Sequence, residues 1–74
     1  MANMTSARSQ EPYDRARELL KANKLAEAFA AYEDLARAGD VQCQIYVAWM
    51  LHEGQGVPRD TERALGWFER AATL

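Results

Sequence analysis

Residues 54–60 read Gly54-Gln55-Gly56-Val57-Pro58-Arg59-Asp60. Two glycines and a proline within seven residues exclude a helix there. Asp60, at the end of the stretch, is a residue type that caps a following helix. On both sides the apolar residues recur at three- and four-residue spacings, the period of a helix. Downstream, Ala64, Leu65, Trp67, Phe68, Ala71 and Ala72 place a helix over about 61–72. Gly66 lies in its interior, at a cost of about 1 kcal/mol relative to Ala. Upstream, a helix over about 41–53 is apolar on two faces. Cys43, Val47, Met50 and Leu51 form one stripe; Ile45, Trp49 and His52 form another. Such a helix is buried between neighbours, or buried on one side and adhesive on the other.

Working back toward the N-terminus, Gly39 reads as a helix stop and Asp40 as the cap of the next helix. Leu25, Ala28, Phe29, Tyr32, Leu35 and Ala36 give a helix over about 24–38. An earlier helix opens at Glu11-Pro12, where proline is tolerated in the first turn. It buries Tyr13, Ala16, Leu19 and Leu20 and stops at Asn23, a residue that accepts the left-handed conformation. Residues 1–10, MANMTSARSQ, are small, polar and aperiodic, and are expected to form a flexible tail. Residues 11–74 are expected to form one helical domain. No stretch alternates with period two, so no strand is predicted.

The chain also repeats itself. Ala28-Phe29-Ala30-Ala31-Tyr32-Glu33-Asp34-Leu35-Ala36 falls on Ala64-Leu65-Gly66-Trp67-Phe68-Glu69-Arg70-Ala71-Ala72, and Leu19-Leu20 falls on Met50-Leu51. A period in the mid-thirties built of paired helices is the mark of a solenoid, in which each pair buries its apolar stripe on the next. The predicted fold is therefore all-α: two antiparallel helix-pair repeats, four helices, stacked as a short α-solenoid.

Within residues 39–72 the matching positions are dense. Cys43 is a small residue, Val47-Ala48 follows it, and then come Gly54, Gly56, Val57 and Asp60, Ala64 and Trp67, and Ala71-Ala72. This segment resembles the Sel-one-like repeat, a relative of the tetratricopeptide repeat. Ala48 replaces the usual glycine and Leu51 the usual tyrosine, each keeping its physical role. Residues 12–38 resemble a degenerate, tetratricopeptide-like first repeat. Its loop, Ala22-Asn23-Lys24, lacks Gly-x-Gly-Val, and Arg17 stands where the family has glycine. The resemblance implies a protein-binding adaptor or scaffold, with a groove lined by the first helix of each pair, no catalytic residues and no cofactor.

Other chemistry finds little support in the residues. The Gly-x-Gly segment follows a helix rather than a strand, no lysine or further glycine completes a phosphate motif, and Asp60 repels an anion. Cys43 and His52 lie nine residues apart on one helix, about 13 Å along its axis, too far for a nucleophile and its base. One cysteine and one histidine make neither a disulfide nor a zinc site, so no metal is expected. The adjacent pair Glu33-Asp34 reads as a solvated face. Nine basic against eleven acidic residues, with no basic cluster, argue against nucleic acid and against a membrane surface. With no apolar run of membrane length and no signal-peptide core in the opening residues, a cytoplasmic location is expected.

The residues singled out for binding are Ile45, Trp49 and His52, with Asp14, Glu18 and Lys21 from the preceding pair, expected to line a groove for another protein. Trp49 either anchors that partner or packs against the first helix. Trp67 is read as core. Helix four leaves an apolar side that nothing in the sequence covers, so a homodimer is a further expectation. The alternative function is a structural self-association module, or part of a longer array.

Overall fold

A computed structural model describes residues 2–73 of the chain, and the side chains of residues 12–73. Four helices follow one another: α1 (Ala2–Lys21), α2 (Leu25–Arg37), α3 (Val41–Glu53) and α4 (Thr61–Ala72). Each packs on the next, α1 on α2, α2 on α3 and α3 on α4. The result is a short all-α solenoid of two helix pairs, and no strand occurs among the described residues.

Three helices end the same way. Asn23 (φ 62°), Gly39 (φ 105°) and Gly54 (φ 72°) adopt the left-handed conformation. Beyond each, an amide returns to a carbonyl of the last turn: Lys24 to Leu19 at 2.9 Å, Asp40 to Leu35 at 3.2 Å and Gln55 to Met50 at 2.9 Å. These bonds satisfy carbonyls that a helix end otherwise leaves unpaired. The next helices then start on aspartates. Asp40 accepts from the Cys43 amide at 2.9 Å and Asp60 from the Arg63 amide at 3.1 Å. Of α2, α3 and α4, α2 alone starts without a side-chain cap, on Lys24.

The long connector is held at both ends. Asp60 donates its amide to the Leu51 carbonyl at 2.8 Å, closing the loop over the end of α3. Gly56, at φ 76°, lies so close to the start of α2 that a Cβ there would overlap the Leu25 carbonyl and the Ala26 amide. The loop is thus a packing surface against the preceding pair, with glycine demanded by both conformation and space.

The core runs along the stack. Ala16, Ala28, Tyr32, Ala36, Cys43, Val47, Ala48 and Leu51 are fully buried, with Phe29, Met50, Ala64 and Trp67 nearly so. Tyr13, Leu19, Leu20, Leu35 and Val57 pack partly buried against this cluster. Burying each side chain of Val or Leu size stabilises the fold by about 1.5–3 kcal/mol. An aromatic column crosses the stack at Tyr32. The Tyr13 ring of α1 meets it edge-on, 6.2 Å between centroids, and the Tyr46 ring of α3 stacks on it at 4.9 Å. Burial pushes the Tyr32 phenol up to about 12. Gln44 is buried too, and its Nε2 donates to the Ala36 carbonyl at 3.1 Å, tying α3 to α2.

Two expectations need correction. The first helix opens at Ala2 rather than at Glu11-Pro12, so residues 2–10 are helical backbone and Pro12 lies inside the helix. Proline removes one backbone bond at an interior position. Ala, Met, Arg, Gln and Glu on its N-terminal side are nonetheless good helix formers, so the helix continues through Pro12. Glu33 is not a solvated carboxylate. It is largely covered, and its Oε2 accepts from the Arg63 guanidinium of α4 at 2.9 Å. Its neighbour Asp34 is exposed.

Candidate functional site

The site starts from the way α3 is held. Its Cys43, Val47, Met50 and Leu51 stripe is locked in the core, and the Asp40 cap fixes its first turn. The opposite face is only partly covered by the described residues. Ile45 is 46% exposed, Tyr46 39% and Trp49 53%. These three and Gln42 line an open groove of about 420 Å³. Trp49 therefore does not pack away against α1. The rim is braced from the preceding pair, since the Tyr13 hydroxyl donates to Gln42 Oε1 at 3.4 Å and Tyr46 rests on Tyr32. An apolar surface on so constrained a helix is preorganised for contact.

The six residues singled out from the sequence do not all meet. Ile45 and Trp49 share the groove. Asp14, Glu18 and Lys21 are exposed on α1, and none of them lines it. His52 sits at the far edge of the stripe, toward α4. There it lines a second depression, about 320 Å³, with Thr61, Glu62, Ala64, Leu65 and Phe68. Leu65 is 59% exposed and Phe68 38%, so α4 carries an apolar surface of its own. Tyr46 and Gln42 were missed. Gln42, Ile45, Tyr46 and Trp49 stand at i, i+3, i+4 and i+7, which is one helical stripe. The signal was present, but Gln42 is polar and Tyr46 was assigned to no face.

Neither the thiol nor the imidazole is placed for catalysis. Cys43 is fully buried, and burial together with the negative Asp40 beside it pushes its thiol up to about 12. A thiol in that state is a packing group rather than a nucleophile. His52 is exposed, with Nδ1 3.2 Å from Glu53 Oε2.

The motif residues occupy structural positions. Gly54 and Gly56 take positive φ, Asp60 caps α4, Ala64 and Trp67 are buried and Val57 packs on the core. Ala71 is half-buried and Ala72 exposed. A comparison with protein families matches residues 41–74 to the Sel1 repeat. The second helix pair is a Sel1 repeat. Sel1 repeats are protein–protein interaction modules, generally without catalytic residues, so the α3 groove lies on the first helix of a unit of that class. No curated protein and no solved structure matches the chain. Among the described residues, no helix is long and apolar enough to cross a membrane.

Proposed function

We propose that the protein is a non-enzymatic adaptor that takes a peptide or helix of a partner protein into the α3 groove. The observation that carries this reading is Trp49, more than half exposed beside Ile45 on a helix whose other face is fully buried. Large aromatics in such settings carry much of the energy of protein interfaces, and an apolar stripe at helical spacing suits a partner helix laid along it. Asp14, Glu18 and Lys21 stand exposed on α1 outside the groove, and His52 lies in the neighbouring depression against α4, so in this reading they meet only a partner that extends beyond the groove.

Capture of partners by the wild-type chain and by Trp49→Ala, followed by direct titration with the purified captured protein, tests this. The reading requires at least tenfold weaker binding by Trp49→Ala with an unchanged helical spectrum. Equal affinity for every partner refutes it.

A second reading has its own support: self-association through α4. Phe68 falls on Tyr32 in the internal repeat, and Leu65 falls on Phe29. On α2 these positions are covered, and Tyr46 of the next helix stacks on Tyr32. On α4 the same positions stand exposed. A second copy of the chain would supply the missing cover. Light scattering should then give a dimer at micromolar concentration that Leu65→Glu with Phe68→Glu returns to monomer. A wild-type monomer over that range refutes the reading.

A further inference from the structure

The second helix of each pair builds a feature that shares no residue with the α3 groove. Glu33 and Arg37 of α2, with Arg63, Gly66, Trp67 and Arg70 of α4, line an open depression of about 370 Å³. Glu33 is its single acid. The Glu33 carboxylate accepts from Arg63 at 2.9 Å and pairs with Arg37 at 3.5 Å. Arg70 lies over the Trp67 ring, its guanidinium carbon 4.7 Å from the ring centroid. No carboxylate pairs with Arg70 among the described residues. Three guanidiniums thus face one carboxylate, in a chain of net charge −2.

Gly66 points the same way. Glycine inside a helix is unfavourable, and the usual compensation is a neighbour too close for a side chain. Here a Cβ would meet nothing within 4 Å, and the backbone is not in the left-handed region. The fold therefore does not demand this glycine. Arg63, Gly66, Trp67 and Arg70 stand at i, i+3, i+4 and i+7 on one face of α4. The missing side chain leaves bare backbone between two arginines and beside an indole.

We propose that this depression binds a carboxylate-rich peptide segment of a partner protein. Arg37 and Arg70 take the incoming carboxylates, Arg63 stays on Glu33, and the open backbone at Gly66 lets the peptide lie close to Trp67. A carboxylate is the group that Arg37 and Arg63 already hold, and the planar guanidinium matches it in a two-pronged pair. The positive feature is confined to three side chains, with Glu62 and Glu69 on the same helix. An extended polyanion, nucleic acid or membrane, needs a broader basic face.

The test is a titration of the isotope-labelled full chain with N-acetyl tetraglutamate amide, read at the arginine Nε–H and tryptophan indole N–H resonances. Tetraglutamine amide is the control, and inorganic phosphate the third arm. Saturable shifts at Arg37, Arg70 and Trp67 are expected, with Trp49 unmoved and binding weakened by added salt. Arg37→Gln with Arg70→Gln should lower affinity at least tenfold. Gly66→Ala should lower it at least threefold while the melting temperature stays level or rises. The proposal is overturned by absent or non-saturable shifts, by equal response to tetraglutamine, or by phosphate binding more tightly than tetraglutamate. Unchanged affinity in either variant, or a melting temperature lowered by Gly66→Ala, overturns it as well.

Discussion

Tyr32 on α2 and Phe68 on α4 occupy the same place in the repeat, and the structure treats them oppositely. Tyr32 is fully buried between Tyr13 and Tyr46, whereas Phe68 is 38% exposed. Their local sequences are alike, so the difference comes from what packs next to each helix. Among the described residues α2 has neighbours on both sides, and α4 packs on α3 alone. In a stacked fold a residue's burial is decided by the adjacent unit as much as by its own helix. The two first helices differ in a complementary way. The outward positions of α1 carry Asp14 and Glu18, while those of α3 carry Ile45 and Trp49.

The strongest way to break the comparison is to truncate both aromatics. Tyr32→Ala should cost about 3–5 kcal/mol, as expected of a buried aromatic. Phe68→Ala should cost about 1 kcal/mol or less in dilute solution, where it loses only part of a half-covered surface. Urea denaturation of both variants measures the gap, and equal costs would contradict it. Next in size are the glycines. Gly56→Ala forces a positive φ and an overlap with α2, and should cost about 2 kcal/mol or more. Gly66→Ala should stabilise by up to about 1 kcal/mol.

Reading the fold from the residues succeeded where a local rule decides the outcome. Asn23, Gly39, Gly54, Asp40 and Asp60 announced their ends and caps because the requirement is carried by one residue type. The core stripes of α2 and α3 were legible because periodicity reports which residues share a face. Two things were not legible. The start of α1 turned on Pro12, whose effect depends on how well its neighbours hold a helix. The ion pair of Glu33 with Arg63 joins residues thirty apart, and no local pattern shows that α4 passes Glu33. The groove was half visible: Ile45 and Trp49 were found from spacing. His52 belongs to α4's surroundings because α4 lies against that edge of α3.

The capping difference between the pairs gives a smaller effect. Asp60→Ala should cost about 1 kcal/mol by losing the bond to the Arg63 amide. Lys24→Ala at the uncapped start of α2 should change stability by no more than about 0.5 kcal/mol. Thermal melts at several protein concentrations check both and separate capping from self-association.

Alkaline pH sharpens the view of the shared core. Cys43 rises from 9 to about 12 on folding, and Tyr32 from 10 to about 12. In both the native state keeps its proton after the unfolded chain has lost it. That contribution to stability is full below pH 9 and falls progressively between pH 9 and about 12. Cys43→Ala should move the onset of the decline up by about one pH unit, toward the tyrosine's ordinary value of 10. Urea midpoints from pH 7 to 11 read the slope.

The central claim is that the Sel1 repeat turns one tryptophan into the core and the other outward. Acrylamide quenching of single-tryptophan variants, Trp67→Phe to observe Trp49 and Trp49→Phe to observe Trp67, addresses it directly. Trp49 should quench several-fold more steeply and emit further to the red. Equal protection of the two indoles would contradict the account.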